Sequence, residues 1–141
     1  MKKVLLFILS LSIVTFSCSS DSDGVSINQD LVGSWTGYVM DRGCDVDLVL
    51  YDDATGTLDF YGGVDCSDID ELTWSASSSS LTLNYLTQSF DDNGNYVVDE
   101  DGNYVYEVYD SSVLNYELDS AGDVLNVTDD DGQTTTLYRV E

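Results

Sequence analysis

From Leu31 to the end of the chain, apolar side chains recur with a period of two, and that pattern rules out most folds at the outset. Val46, Leu48 and Leu50 are interleaved with Asp47 and Val49, and Leu81, Leu83 and Tyr85 with Thr82 and Asn84. Leu114, Tyr116 and Leu118 alternate in the same way with Asn115, Glu117 and Asp119. Strand side chains point to alternate faces, so each run is a strand with one face buried and one in water. No useful stretch shows the i, i+3, i+4 spacing of an amphipathic helix. Turn-forming clusters separate the runs: Asp52-Asp53-Ala54-Thr55-Gly56, residues 75–80, Ser120-Ala121-Gly122-Asp123 and Asp129-Asp130-Asp131-Gly132. The pattern predicts strands at 33–40, 46–51, 57–61, 71–75, 81–86, 104–109, 113–119, 124–128 and 134–140. Short strands joined by tight turns make an antiparallel up-and-down meander, which loses its unpaired edges most simply by closing. The expected fold class is all-β, a small closed barrel of about eight strands.

The N-terminal segment has a different character. Lys2 and Lys3 precede an uncharged, mostly apolar run over residues 4–16, too short to span a bilayer. It ends in Thr15-Phe16-Ser17-Cys18, which resembles the lipobox of bacterial lipoproteins. The resemblance implies that residues 1–17 are a lipoprotein signal peptide and that Cys18 carries the lipid, with attachment through several acyl chains. Simple secretion, with cleavage after Ser17, is the other reading. Residues 18–29 are polar, Ser- and Asp-rich and aperiodic, as expected of a flexible tether. Their Ser20-Asp21-Ser22-Asp23 run resembles the signal that sends lipoproteins of Bacteroidota to the outer face of the outer membrane. The implied location is the outer membrane, on its cell-surface side, with residues 30–141 as a single exported domain.

Charge narrows the partners. The chain holds 27 acidic and 4 basic residues and a formal charge of −23, and both lysines leave with the signal segment. Arg42 and Arg139 are then the remaining cations. Nucleic acid and anionic headgroups are repelled by such a domain. Apart from Cys18, Cys44 and Cys66 form an even pair in an oxidising compartment, so a disulfide is expected. The alternative, a thiolate metal or catalytic site, needs a further ligand or base, and the chain has no histidine. The common nucleophile and base pairs are therefore missing, and a non-catalytic protein is expected, as a monomer and with no obligatory cofactor.

Leu31-Val32-Gly33-Ser34-Trp35 resembles the Gly-x-Trp opening of lipocalins, and Leu137-Tyr138-Arg139-Val140 their last strand with its arginine. Gly56-Thr57-Leu58-Asp59-Phe60 and Thr73-Trp74-Ser75 are similar to strands of the small lipocalin-like lipoproteins of Bacteroidota. The resemblance implies a structural unit of Gly33, Trp35 and Arg139 at the closed end of a barrel, with the guanidinium over the indole. It also implies a mouth at the other end that admits a small apolar ligand, for which Phe60, Trp74, Tyr85 and Tyr116 are the candidate contacts. Trp74 reads first as a core or barrel-wall residue and only second as a ligand contact.

Residues 89–103 interrupt the meander. Asp91-Asp92-Asn93-Gly94-Asn95-Tyr96-Val97-Val98 is followed directly by Asp99-Glu100-Asp101-Gly102-Asn103-Tyr104-Val105-Tyr106, an eight-residue unit in tandem. Asn-Gly and Asp-Gly favour type I′ turns, so one reading is an acidic hairpin tip. The other is calcium. Asp91, Asn93, Gly94 and Glu100 fall at positions 3, 5, 6 and 12 of an EF-hand-like loop, and Asn95, Asp99 and Asp101 add oxygens, while Ser89 stands at the first position.

Two functions follow from these features: a lipid-anchored lipocalin-like binder of a small apolar molecule, or a surface interaction or structural lipoprotein with a filled barrel. An eight-strand barrel is just wide enough for either. Bulky inward candidates such as Leu48, Leu50, Leu58, Leu81, Leu83, Leu114 and Leu118 favour filling, and ten tyrosines suit a binding surface.

Overall fold

A computed structural model of the protein describes residues 26–141; the expected signal segment, Cys18 and most of the expected tether lie outside them. A short 3₁₀ turn, η1 (Gln29–Leu31), leads into eight strands. These are β1 (Gly33–Val39), β2 (Cys44–Leu50), β3 (Thr55–Tyr61), β4 (Ile69–Ala76), β5 (Ser80–Gln88), β6 (Tyr106–Leu118), β7 (Val124–Thr128) and β8 (Thr134–Val140). Each pairs antiparallel with the next, and β8 pairs back with β1 through Ser34↔Val140, Trp35↔Arg139, Thr36↔Tyr138 and Gly37↔Leu137. The sheet is a closed barrel in up-and-down order, as the period-two pattern predicts.

Nine expected strands become eight. The sequence breaks at Asp110-Ser111-Ser112, yet β6 runs through it, with Ser112 opposite Leu83 and Ser111 opposite Asn84. The Ser111 hydroxyl donates to Asn84 Oδ1 at 2.8 Å, so a polar pair on the outer face takes the place of an apolar one. The irregularity falls one residue earlier: Tyr85 pairs with Asp110 and Leu86 with Val108, leaving Tyr109 as the extra residue of a β-bulge.

The interior is densest at the end where β1 begins. Trp35, Trp74, Leu31, Leu50, Leu72, Leu81, Leu83 and Leu125 are all but fully buried there or toward mid-barrel. η1 lays Leu31 across the opening, and the Trp35 indole N–H donates to its carbonyl at 2.9 Å. The Arg139 guanidinium stacks 4.2 Å from the Trp35 ring. It also donates to the carbonyls of Gly122 (2.7 Å), Val32 (2.9 Å) and Asp30 (2.6 Å). Gly33 is needed beside it, because a Cβ there would stand 2.7 Å from Arg139 Nη1. Gly33, Trp35 and Arg139 thus form one plug, with cation–π contact, three hydrogen bonds and a space left for the guanidinium.

Candidate functional site

At the opposite end the strands stop at Val39, Cys44, Tyr61, Ile69, Gln88, Tyr106, Thr128 and Thr134. The interior here is not filled. The registers place Gly37, Val46, Ser112, Val127 and Thr135 on the inward face, where the closed half has two tryptophans and several leucines. Small inward side chains leave a cavity of about 230 Å³ open to solvent. Its floor is apolar, built from Val46, Leu48, Leu58, Leu83, Leu114 and Leu137, and its rim carries Asp41, Arg42, Asp129, Gln133 and Thr135. Among the described residues no buried side-chain nitrogen or oxygen lacks a hydrogen bond, so the floor presents no orphan polar atom. The Cys44–Cys66 disulfide ties the start of β2 to the loop between β3 and β4 beside this opening.

Arg42 stands at the mouth with its guanidinium 4.8 Å from the centre of the Phe60 ring. It forms no ion pair and donates no side-chain hydrogen bond among the described residues. A neighbouring recess shares Arg42, Leu58, Phe60 and Tyr85 with the cavity and adds Asp70, Tyr109, Asp110 and Ser112. Tyr109, aimed by the bulge, packs near Tyr85 with ring centres 6.3 Å apart and donates its hydroxyl to Asp70 Oδ1 at 3.1 Å. Desolvation, then the hydrogen bond to Asp70 and the nearby negative charge, raises the Tyr109 phenol above the usual tyrosine value.

The four candidate ligand contacts divide between the two ends. Phe60 and Tyr85 line the mouth. Trp74 lies in the closed half, fully buried, its indole N–H donating to Tyr51 O at 3.0 Å. Tyr116 is also at the closed end, donating to Ser77 O at 2.7 Å and accepting from Asn28 Nδ2 at 2.9 Å. Neither lines the cavity. Arg42 is the mouth residue that the sequence reading passes over. Its signal is arithmetic: of the two cations after residue 17, the family resemblance accounts for Arg139 alone.

The tandem repeat forms two successive tight turns, bridged at Phe90↔Tyr96 and Val98↔Tyr104. They are not type I′, which needs positive φ at both central residues. Here only the glycines are positive, Gly94 at 80° and Gly102 at 86°. Each loop is a type I turn closed by a left-handed glycine, held by an aspartate at its start. Asp91 Oδ1 accepts from the N–H of Asn93 (2.8 Å) and Asn95 (2.9 Å), and Asp99 Oδ1 from Asp101 (2.9 Å) and Asn103 (2.8 Å). The bonds from Asn95 and Asn103 are the foremost reason that both carboxyls titrate below their ordinary value. The same turn recurs at Asp119 and Asp129. Of the calcium candidates, Asp91, Asn93 and Asn95 therefore belong to one turn and Asp99, Glu100 and Asp101 to the next. No group of three or more Cys, Asp or Glu placed to hold a metal ion occurs among the described residues.

No protein-family model matches this chain, and no characterised protein is similar enough in sequence to count as a relative.

Proposed function

We propose that the protein is a lipid-anchored, lipocalin-like outer-membrane lipoprotein that holds a small apolar ligand in the mouth of its barrel, without chemistry on it. The observation that carries this is the cavity of about 230 Å³, with an apolar floor and a rim of a few polar groups. Such a lining is typical of small-molecule sites, and burial of apolar ligand surface supplies the driving force at about 25 cal/mol per Å². The volume is below the roughly 300–1,000 Å³ of drug-sized sites, so the ligand is small or inserts only its end. The filled-barrel alternative describes the closed half of the interior and not this half. Orientation supports the reading too. Ser26 O accepts from Ala76 N at 2.7 Å, so the chain enters the barrel at its closed end. An anchor at Cys18 then attaches to the barrel from the end opposite the mouth.

The test is native mass spectrometry of protein extracted from its own membrane, with titration of N-phenyl-1-naphthylamine, a neutral dye that brightens in apolar surroundings. Saturable dye uptake that Leu114→Trp abolishes, by filling the floor, is the expected result. Uptake that survives Leu114→Trp, or no uptake and no co-purifying mass, would reject the mouth as a ligand site.

A further inference from the structure

The second candidate surface lies on the tandem repeat, which joins β5 to β6 at the mouth end of the barrel. Antiparallel strands are joined by as few as two residues, yet residues 89–105 separate β5 from β6. The segment is held by a ring of three backbone hydrogen bonds between residues spaced eight apart. Ser89 N donates to Val105 O (2.8 Å), Val105 N to Val97 O (3.0 Å) and Val97 N to Ser89 O (2.9 Å). The duplication explains the ring, because each copy returns the chain to an equivalent position. What it gathers is aromatic: the Phe90 and Tyr96 ring centres are 4.8 Å apart and those of Tyr96 and Tyr104 5.4 Å.

Tyr96 packs against both Phe90 and Tyr104, and all three rings stand about half exposed. Phe90 is 54% exposed, Tyr96 53% and Tyr104 52%. Their positions come from the backbone ring and the aspartate-held turns, so a partner would order little on binding them; rigid aromatic side chains are efficient contacts for that reason. Charge selects the partner. Asp92, Glu100 and Asp101 are exposed on the two turns of the same segment, and no basic residue occurs in the sequence between Arg42 and Arg139. A second copy of this chain, at −23, or an anionic lipid surface would be repelled.

We propose that the knob of residues 89–105 docks a cationic segment of a partner protein, with guanidinium or ammonium groups over the faces of Phe90, Tyr96 and Tyr104 and the flanking carboxylates collecting the remaining charge. The arrangement favours arginine over lysine, because a planar guanidinium stacks on a ring while pairing with a carboxylate.

The full chain in neutral detergent is titrated into fluorescein-labelled decaarginine, decalysine and decaglutamate, with anisotropy as the readout. Saturable binding in the order decaarginine, then decalysine, with none for decaglutamate, is expected. The combined change Phe90→Ser, Tyr96→Ser and Tyr104→Ser leaves the charge unaltered and weakens decaarginine binding about tenfold or more, from three exposed cation–π contacts. Met40→Ser with Val64→Ser removes exposed apolar groups elsewhere and leaves binding unaltered. Emission from the core tryptophans reports whether each variant keeps its barrel. Should the combined variant lose it, Tyr96→Ser alone, between the other two rings, is read in its place with about a threefold loss. Equal binding by the ring variants would reduce the effect to net charge and overturn the proposal. So would preference for neutral oligosaccharides, or self-association that depends on the three rings.

Discussion

Each end of the barrel sets an arginine on an aromatic ring, and the two arginines differ in everything else. Arg139 lies 4.2 Å from Trp35 and donates to three backbone carbonyls. Arg42 lies 4.8 Å from Phe60 and, among the described residues, donates to none through its side chain. One guanidinium is a structural part with three of its donors held by backbone carbonyls, and the other keeps its donors at the edge of an open cavity. The same contact closes one end and leaves the other open, because what decides is the set of acceptors around the guanidinium and the size of the residues beneath it.

The comparison is broken most directly at the plug. Trp35→Ala is expected to cost about 3–5 kcal/mol in urea unfolding, as buried large-to-small changes do, while Phe60→Ala at the half-open mouth costs clearly less; equal losses would mean that the two ends are packed alike. Next in size is the disulfide. Reducing Cys44–Cys66 opens a loop of 22 residues and should lower stability by about 3 kcal/mol in the chain-entropy account, measured as a drop in urea midpoint with dithiothreitol. A much smaller drop would show that the loop at the mouth is held by other contacts.

The arginines themselves give the sharpest pair. Arg139→Met keeps much of the side-chain bulk but strands three carbonyls, so about 2 kcal/mol is expected. Arg42→Met should stay within about 0.5 kcal/mol of the native protein. A loss on Arg42→Met comparable with that of Arg139→Met would remove the distinction drawn between them.

The smallest effect is a titration at the mouth-side turns. Asp91 and Asp99 have folded values lowered from 3.8, so their contribution to stability is fully present above that value and fades as the pH falls through the lower folded value. The amide resonances of Asn95 and Asn103 should report midpoints below 3.8 as the solution is acidified. Midpoints at or above 3.8 would show that the carboxylates do not hold the turns.

Much of this architecture was legible in the residues. Alternation alone sorted Leu48, Leu58, Leu83 and Tyr116 onto the inner face, and the Asp-x-x-Gly clusters marked where the chain reverses. Cys44 and Cys66 read as a pair from their number and compartment. The break expected at Asp110 did not occur, since a strand tolerates polar residues when its outer face is in water and its partner offers Asn84 for Ser111.

A period of two states which face a side chain takes, and that much the sequence determined by itself. It carries no information about height along the barrel, which depends on how far each strand slides against its neighbours when the sheet closes. Phe60 and Tyr85 therefore arrive at the mouth while Trp74 and Tyr116, of the same inward parity, arrive at the plug. Tertiary structure likewise decided the fates of Arg139 and Arg42, because the carbonyls of Asp30 and Val32, more than a hundred positions away in the chain, meet the Arg139 guanidinium only after the barrel has closed.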